Sequence, residues 1–468
     1  MISNSLKHSL KSQDIPHKYE MIYTDQVDGY SLIYNPLSRK GLVVLQQSAA
    51  FYYSLIDGRR TLSDIFKLAQ REDSRIMMDD VFQFFDQFLK SEIIFFKEED
   101  KLKLPVITPP KGLNVWFHIT NQCNLRCKYC YIRKSSKRMD LKIANKAIKK
   151  IYLTAVTHKI KYILFTFMGG EPLLEFPKIR LLIKKIRELE QKYKIHSRIN
   201  LISNGTLINA KIAGELKKLN ISVQISCDGF GRYNDKTRVF PNGSGSFKFI
   251  KRGMENLQKM GIRFGVIIVV TSKNIKGVPE FVEYLLSQKI RFGLNLFRDN
   301  PLAKSSLMCE KRDLIKTFKR MYKEISLNPP NFSILNHIDK ISFNSPTVRI
   351  CSAGSNYIGV RQDGKLASCQ MTMDRVIGSI SDKDLLETVR KGSFIKPASM
   401  TVEDRAACRK CLWKYACGGG CPFFVYQSYG RYDAKSPYCD VYRALIPEIF
   451  RIEAKRIIGN FSKSACDQ

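Results

Sequence analysis

Along the first hundred residues, two short apolar runs give way to apolar positions spaced three and four apart. Residues 30–34 and 41–45 are rich in Leu, Ile, Val and Tyr, flank a turn at 35–40, and predict two strands. Three helices should follow. The first covers 48–56 and stops at Asp57-Gly58; the second is capped by Thr61 or Ser63 and carries Leu62, Ile65, Phe66 and Ala69 on one face. The third covers 78–90, with Val81, Phe84, Phe85 and Phe88 on its apolar side, and a last short strand is expected at 93–96. This order predicts a small winged-helix-like domain over 1–100. Residues 101–112, with Pro105, Pro109, Pro110 and Gly112, read as a linker.

From 113 the pattern alternates. Strands are predicted at 114–119, 162–168, 198–202, 222–227, 263–270 and 291–297, with helices such as 178–193, 210–219, 247–260 and 278–287 between them. Six such units predict an α/β domain over 113–345, its parallel sheet open or curled into a partial barrel. Such sheets bind ligands at the carboxyl ends of their strands. Cys123 follows the first strand, Gly169 to Glu171 the second, Ser203-Asn204 the third and Asp228-Gly229 the fourth. After about 345, segments rich in Gly and Cys replace the alternation. Residues 346–450 therefore predict a loop-rich domain stapled by metal, and 451–468 a C-terminal tail.

Composition narrows the setting. The 468 residues are enough for two or three domains. No apolar run approaches the roughly 18 residues of a membrane span, and the first residues lack a signal-peptide core, so a cytoplasmic protein is expected, with no membrane partner. In a reducing compartment the 13 cysteines read as metal ligands rather than disulfides. Net charge is +35, divided unevenly: residues 1–100 carry −3 and the remainder +38. That imbalance raises an acidic or nucleic-acid partner against the plain alternative of solvated, lysine-rich helix faces. No RNA-binding module is recognisable, so nucleic acid is not an expected partner.

The chemistry concentrates in two cysteine groups. Cys123-Asn-Leu-Arg-Cys127-Lys-Tyr-Cys130 has the spacing C-x3-C-x2-C. Three thiolates on one loop can hold three irons of a cubane and leave the fourth free for a small molecule. A zinc knuckle would want a fourth Cys or His nearby, and 121–137 holds none. The motif, with Tyr129 in its aromatic position, resembles the signature of the radical S-adenosylmethionine (SAM) superfamily. Phe167-Met168-Gly169-Gly170-Glu171-Pro172 resembles that family's Gly-Gly-Glu segment. Ser203-Asn204-Gly205-Thr206 and Ile225-Ser226-Cys227-Asp228-Gly229 are similar to its ribose and carboxylate segments, and Arg238 to its carboxylate-pairing arginine. The resemblance covers about 113–300. It implies a 4Fe–4S cluster on Cys123, Cys127 and Cys130, and SAM held by Tyr129, Gly169, Gly170, Glu171, Ser203, Asn204, Ser226 and Arg238. It further implies reductive cleavage to a 5′-deoxyadenosyl radical, with electrons from a flavodoxin or ferredoxin. Cys227 reads more simply, as a thiol buried in a strand.

The second group is Cys351, Cys369, Cys408, Cys411, Cys417, Cys421 and Cys439, with Gly418 to Gly420 allowing close backbone approach. Paired C-x2-C spacing also suits zinc. The array resembles the SPASM extension of radical SAM enzymes. By that resemblance Cys408, Cys411, Cys417 and Cys439 hold one auxiliary 4Fe–4S cluster, and Cys351, Cys369 and Cys421 a second, for three clusters in all. The second is one ligand short. Cys309 is a remote candidate; otherwise the open iron would take a substrate thiolate.

Residues 15–100 resemble the PqqD-like peptide-binding module of peptide maturases, through Tyr34-Asn35, the run at 41–45, Leu55-Ile56-Asp57-Gly58 and the run at 60–65. The resemblance implies a precursor peptide whose leader adds as a strand to a sheet edge. The expected function is therefore hydrogen abstraction from a ribosomally made peptide, giving a thioether or carbon–carbon cross-link or an epimerised centre. The alternatives are a sulfatase-type maturase, which has Asp where this chain has Gln370 (Asp374 lies nearby), and, from another class, an RNA-binding or RNA-modifying iron–sulfur protein. No catalytic side chain is assigned beyond the cluster.

Overall fold

A computed structural model describes residues 10–466 apart from 304, 340 and 393–399. The chain opens with β1 (His17–Lys18), β2 (Tyr23–Val27), β3 (Tyr30–Tyr34), β4 (Leu42–Leu45), α1 (Gln47–Ser54), α2 (Leu62–Glu72), α3 (Met78–Lys90) and β5 (Ile94–Phe95). Strands β2, β3 and β4 form an antiparallel sheet, and β1 pairs with β5. The pattern reading had no β2, because its Tyr-Thr-Asp-Gln-Val run is mostly polar. Its partner is fixed by the turn: Val27 faces Tyr30 across Asp28 and Gly29, both at positive φ, the two-residue hairpin that Asp-Gly favours. Thr61, not Ser63, caps α2; its Oγ1 accepts from the Asp64 amide at 3.1 Å while Asp64 Oδ2 accepts from the Thr61 amide at 3.0 Å.

This first unit has two cores. Leu62, Ile65, Ala69, Val81, Phe85 and Phe88 close one face. Leu32, Tyr34 and Leu42 point the other way and join the main core of the chain. There Tyr34 meets Phe450 and Trp413, with ring centroids 5.0 and 6.0 Å apart. The N-terminal unit is thus docked on the C-terminal part through an aromatic cluster.

The central part runs β6 (Gly112–His118), α4 (Leu141–Thr157), β7 (Tyr162–Met168), α5 (Phe176–Tyr193), β8 (His196–Ser203), α6 (Ala210–Lys218), β9 (Ser222–Ser226), α7 (Arg232–Asp235), α8 (Phe247–Lys259), β10 (Phe264–Val270), α9 (Val278–Ser287), β11 (Arg291–Leu296) and α10 (Lys311–Leu327). Strands β6 to β11 are parallel and lie in chain order. The protein is mixed α/β with a parallel-strand sheet. Alternation does stop near 345, yet the sheet does not. Strand β12 (Tyr357–Val360) adds in parallel beside β6, followed by antiparallel β13 (Lys365–Ala367) and β14 (Gly378–Ser379), making nine strands. All four residues of β12 are buried, so it shows no period-two signal.

The chain ends with α11 (Leu385–Gly392), α12 (Lys414–Cys417), α13 (Pro422–Tyr429) and α14 (Cys439–Cys466). Residues 451–466, expected as a tail, continue α14. Ile446, Ile449, Phe450, Ile452 and Ala454 are buried there, and Arg451 and Lys455 pair with Asp25 and Asp28 of the first hairpin. A helix packed on several sides has no single apolar stripe to announce it. Among the described residues, no helix is long and apolar enough to cross a membrane.

Candidate functional site

The carboxyl end of β6 leads directly into the three-cysteine loop. Cys123, Cys127 and Cys130 are free thiols, each half-buried. The adjoining segment after β7 runs against this loop: the Gly170 amide donates to the Thr120 carbonyl and the Glu171 amide to the Gln122 carbonyl, both at 2.7 Å. The approach requires glycine. A Cβ on Gly170 would lie 1.8 Å from the Gln122 oxygen, far inside contact distance.

Glu171 is fully buried. Its carboxylate accepts from Ser203 Oγ (2.8 Å), the Asn204 amide (2.8 Å) and the Leu173 amide (3.0 Å), so both oxygens are engaged within the protein. Burial nevertheless raises its pKa, against those hydrogen bonds. Asn204 donates to Asn124 Oδ1 at 2.8 Å, and Asn124 donates to Thr206 Oγ1 at 2.8 Å. These bonds tie the ends of β7 and β8 to the cysteine loop. Ser226 ends β9, half-buried. Cys227 is buried with its thiol 3.7 Å from the Gly229 carbonyl, as a strand-end core residue.

On the other side of the loop, Asp228 organises the polar groups. Its carboxylate pairs with Arg238 Nε at 3.0 Å and accepts from Tyr129 Oη at 2.5 Å, Thr237 Oγ1 at 2.8 Å and the Val269 amide at 3.1 Å. The Arg238 guanidinium lies over the Tyr129 ring, 5.3 Å from its centroid, with Nη1 3.8 Å from Cys127 Sγ. Burial opposes the charge on Arg238, but Asp228, Tyr129 and Cys127 hold its pKa well above the ordinary value. Lys134 Nζ stands 3.2 Å from Cys130 Sγ; burial works against its charge, and the neighbouring thiols still raise its pKa. Burial also raises the pKa of Cys123, and pushes Cys127 up to about 12. Cationic Lys134 and Arg238 beside buried thiols suit a site that becomes anionic when metal displaces the thiol protons.

Sequence reasoning placed Asp228 in the segment after the fourth strand but not as the partner of Arg238, Tyr129 and Thr237, and it missed Asn124 and Lys134 as parts of this site. Asn124 and Lys134 flank the cysteines, and nothing in their spacing marked them.

The second group of cysteines is also gathered. Cys408, Cys411, Cys417 and Cys439 line one small cavity with Trp413, Gly419 and Ser436. Burial raises the pKa of Cys408 and Cys439 and pushes Cys417 up to about 12. Cys351 and Cys369 sit together with Ala353, Met371 and Tyr432. A cavity bounded by Cys351 is lined on its far side by Gly418, Gly420 and Pro422, the last two flanking Cys421. Cys309 is not brought there; it is buried beside α10, with Asp313 and Glu310 as its charged neighbours. The glycine run has a structural demand of its own: Gly418, Gly419 and Gly420 all have positive φ, and a Cβ on Gly419 would meet Arg405 at 2.4 Å. Among the described residues no three His, Cys, Asp or Glu side chains stand close enough to share one metal ion. Thiolates of a cubane bind separate irons rather than sharing one.

A cavity beside the cysteine loop is lined by His118, Tyr131, Arg361, Gln362, Met373 and Asp374, among others. Cys369 is followed by Gln370, whose side-chain oxygen is 3.9 Å from the Cys369 thiol.

Fold and site together define a parallel α/β protein with a three-thiol loop at the carboxyl end of its sheet. Residues 117–285 match the model of the Radical SAM superfamily, so the chain carries a radical SAM domain. The uncharacterized protein MJ0907 of Methanocaldococcus jannaschii is 41% identical over 170 residues, 36% of this chain, and the chain spans only 57% of that protein's length. A cysteine-type anaerobic sulfatase-maturating enzyme of Clostridium perfringens is 26% identical over 64% of this chain and 85% of its own length. Among solved structures, anSMEcpe with bound AdoMet superposes with a TM-score of 0.59 at 21% identity, over 74% of this chain and all of that one. SuiB of Streptococcus suis, bound to its precursor peptide SuiA, gives 0.50 at 16% identity, over 90% of this chain and 98% of that one. The radical SAM domain is thus similar in sequence to that of a sulfatase-maturating enzyme and shares its fold with SuiB.

Proposed function

We propose that the chain is a radical SAM maturase of a ribosomally made precursor peptide. It would combine a leader-binding N-terminal unit, a partial barrel that binds SAM and one 4Fe–4S cluster, and a C-terminal SPASM region with two more clusters. The observation that carries the reading is the gathering of ten cysteines into separate groups: Cys123, Cys127 and Cys130 on one loop, Cys351 and Cys369 beside the Cys421 loop, and four around one cavity. The partners bound in similar folds, a precursor peptide on SuiB and AdoMet on anSMEcpe, support the peptide and cofactor assignments.

When bound, the reduced cluster and SAM supply the deoxyadenosyl radical. The chain's own residues orient and shield. Gly170 and Glu171 brace the cysteine loop against β7, and Glu171 locks Ser203 and Asn204 at the end of β8. Tyr129 and Arg238, fixed by Asp228, wall one side of the loop; Arg238 would pair with the carboxylate of SAM. An electron donor of the flavodoxin or ferredoxin type would reduce the cluster. A second reading, oxidation of cysteine or serine to formylglycine, is favoured by Asp374 in the cavity beside His118 and Tyr131.

The test begins with the reconstituted protein, dithionite and SAM. The reading expects 5′-deoxyadenosine from the wild type and none from the Cys123→Ala/Cys127→Ala/Cys130→Ala variant. A cognate peptide then separates the reactions by mass. A cross-link makes it about two hydrogens lighter, epimerisation leaves the mass unchanged but takes up solvent deuterium, and formylglycine formation from cysteine removes its sulfur. Deoxyadenosine from both proteins, or from neither, would refute the reading.

A further inference from the structure

Among the described residues no fourth thiol joins Cys351, Cys369 and Cys421, and Cys309 lies elsewhere. We propose that Tyr357 supplies the fourth protein ligand of that centre, its phenolate oxygen taking the iron that cysteines leave open. The inference rests on the auxiliary-cluster reading above and deepens it.

Backbone geometry brings Tyr357 back toward both residues of the pair. The Ser352 carbonyl accepts from the amides of Ser355 (3.0 Å), Asn356 (3.2 Å) and Tyr357 (3.2 Å), folding the chain back so that Tyr357 returns beside the residue after Cys351. On the other flank, β12 and β13 pair in antiparallel register, Gly359 opposite Ala367 and Val360 opposite Leu366. Extending that register by two residues sets Tyr357 opposite Cys369. Directly opposed residues direct their side chains to the same face of a sheet. The electrostatic surroundings agree: after burial, Cys369, Tyr131 and Cys351 are the groups that act on the Tyr357 phenol.

The hydroxyl itself has no structural explanation. Tyr357 is only 7% exposed, and its Oη is buried without a hydrogen bond of normal geometry. The Gln370 backbone approaches it, next to Cys369. A buried, unpartnered hydroxyl is destabilising, and phenylalanine would fill the same space against Trp116 without it. A hydroxyl on the sheet face that Cys369 shares would have a use as a ligand, and tyrosinate is an established iron ligand in proteins. The step is ligation alone. The phenol proton passes to solvent as the iron–oxygen bond forms, and no electron moves. A centre closed in this way would pass electrons rather than hold a substrate thiolate.

The experiment uses the full chain in the Cys123→Ala/Cys127→Ala/Cys130→Ala background, reconstituted anaerobically, so that only auxiliary clusters remain. Iron is counted, and the dithionite-reduced protein is titrated with 13C-cyanide, an open-site ligand read by electron–nuclear double resonance. Expected are about 8 irons, from four per cluster, and no cyanide coupling in this parent. Adding Tyr357→Phe should open one iron, giving about one coupled cyanide per chain or a drop toward 4 irons; Tyr357→Cys should restore about 8 irons and exclude cyanide. Tyr131→Phe, removing a half-buried phenol with Cys369 among its electrostatic neighbours, should behave as the parent. Cyanide binding by the parent, no change in Tyr357→Phe, opening by Tyr131→Phe instead, or failure of Tyr357→Cys to restore the parent would each overturn the tyrosine assignment while leaving two clusters in place. A parent with about 4 irons or fewer would overturn the two-cluster reading itself, and the ligand with it.

Discussion

Replacing Asp228 by Asn tests whether the polar wall beside the cysteine loop is built on one carboxylate. Asp228 is fully buried and Arg238 nearly so, at side-chain exposures of 0% and 7%. Asn keeps an acceptor for the Val269 amide, and the hydroxyls of Tyr129 and Thr237 can rotate to accept from the new amide. Arg238 has no such freedom, because a guanidinium only donates. Its charge would remain buried without a counter-ion, a change that typically costs about 3–5 kcal/mol. Urea unfolding followed by Trp116 fluorescence, in a Trp413→Phe background, reads the sheet that carries the loop. Asp228→Asn should lower the unfolding free energy by roughly that amount. The double variant Asp228→Leu/Arg238→Met should recover most of the loss, because removing both charges also removes their desolvation penalty. A single variant within about 1 kcal/mol of its parent, or two losses that simply add, would refute the reasoning.

Gly170→Ala drives a Cβ into the Gln122 carbonyl at 1.8 Å. Overpacking of this kind costs about 1–3 kcal/mol or more, and iron retention at the first site should fall while the other clusters remain, as read by iron content per chain. Trp413→Ala removes the ring shared by Tyr23, Tyr34 and Phe450. It should cost about 3–5 kcal/mol and speed proteolysis between residues 101 and 111, since the docked N-terminal unit loses its anchor; unchanged cleavage kinetics would count against that role. Acid stability should follow His337, which is buried, hydrogen-bonded to Tyr322 Oη at 2.7 Å, and pushed down to about 4 by burial. Its native pKa lies below the unfolded value near 6.5, so between about 6.5 and 4 the unfolded chain binds more protons and stability falls as pH falls. His337→Gln should flatten that decline in a pH series of urea midpoints, and an equally steep decline would dismiss the assignment.

Much of this was readable from residue patterns. Tyr162–Met168 and Val278–Ser287 agree with expectation to the residue, because each is an apolar run or face bounded by clear turn or capping residues. The motif order along the sheet placed Cys123, Glu171, Ser203 and Asp228 at neighbouring strand ends, and cysteine spacing grouped the thiols. What escaped lacked a periodic or spaced signal. Strand β2 is polar, β12 is buried throughout, and α14 is apolar on several sides. The bonds of the Glu171 carboxylate to Ser203, Asn204 and Leu173 are set by three-dimensional neighbours and carry no sequence signal. The place of Tyr357 beside Cys351 and Cys369 likewise depends on a turn and a strand register that no motif encodes.

The most direct test of the central claim is metal content. The protein is purified and reconstituted without oxygen, and iron and sulfide are counted beside the Cys123→Ala/Cys127→Ala/Cys130→Ala variant. Three cubane clusters predict about 12 irons for the wild type and about 8 for the variant, four per cluster. A wild type near 4 irons, with zinc in the remaining cysteines, would contradict the account.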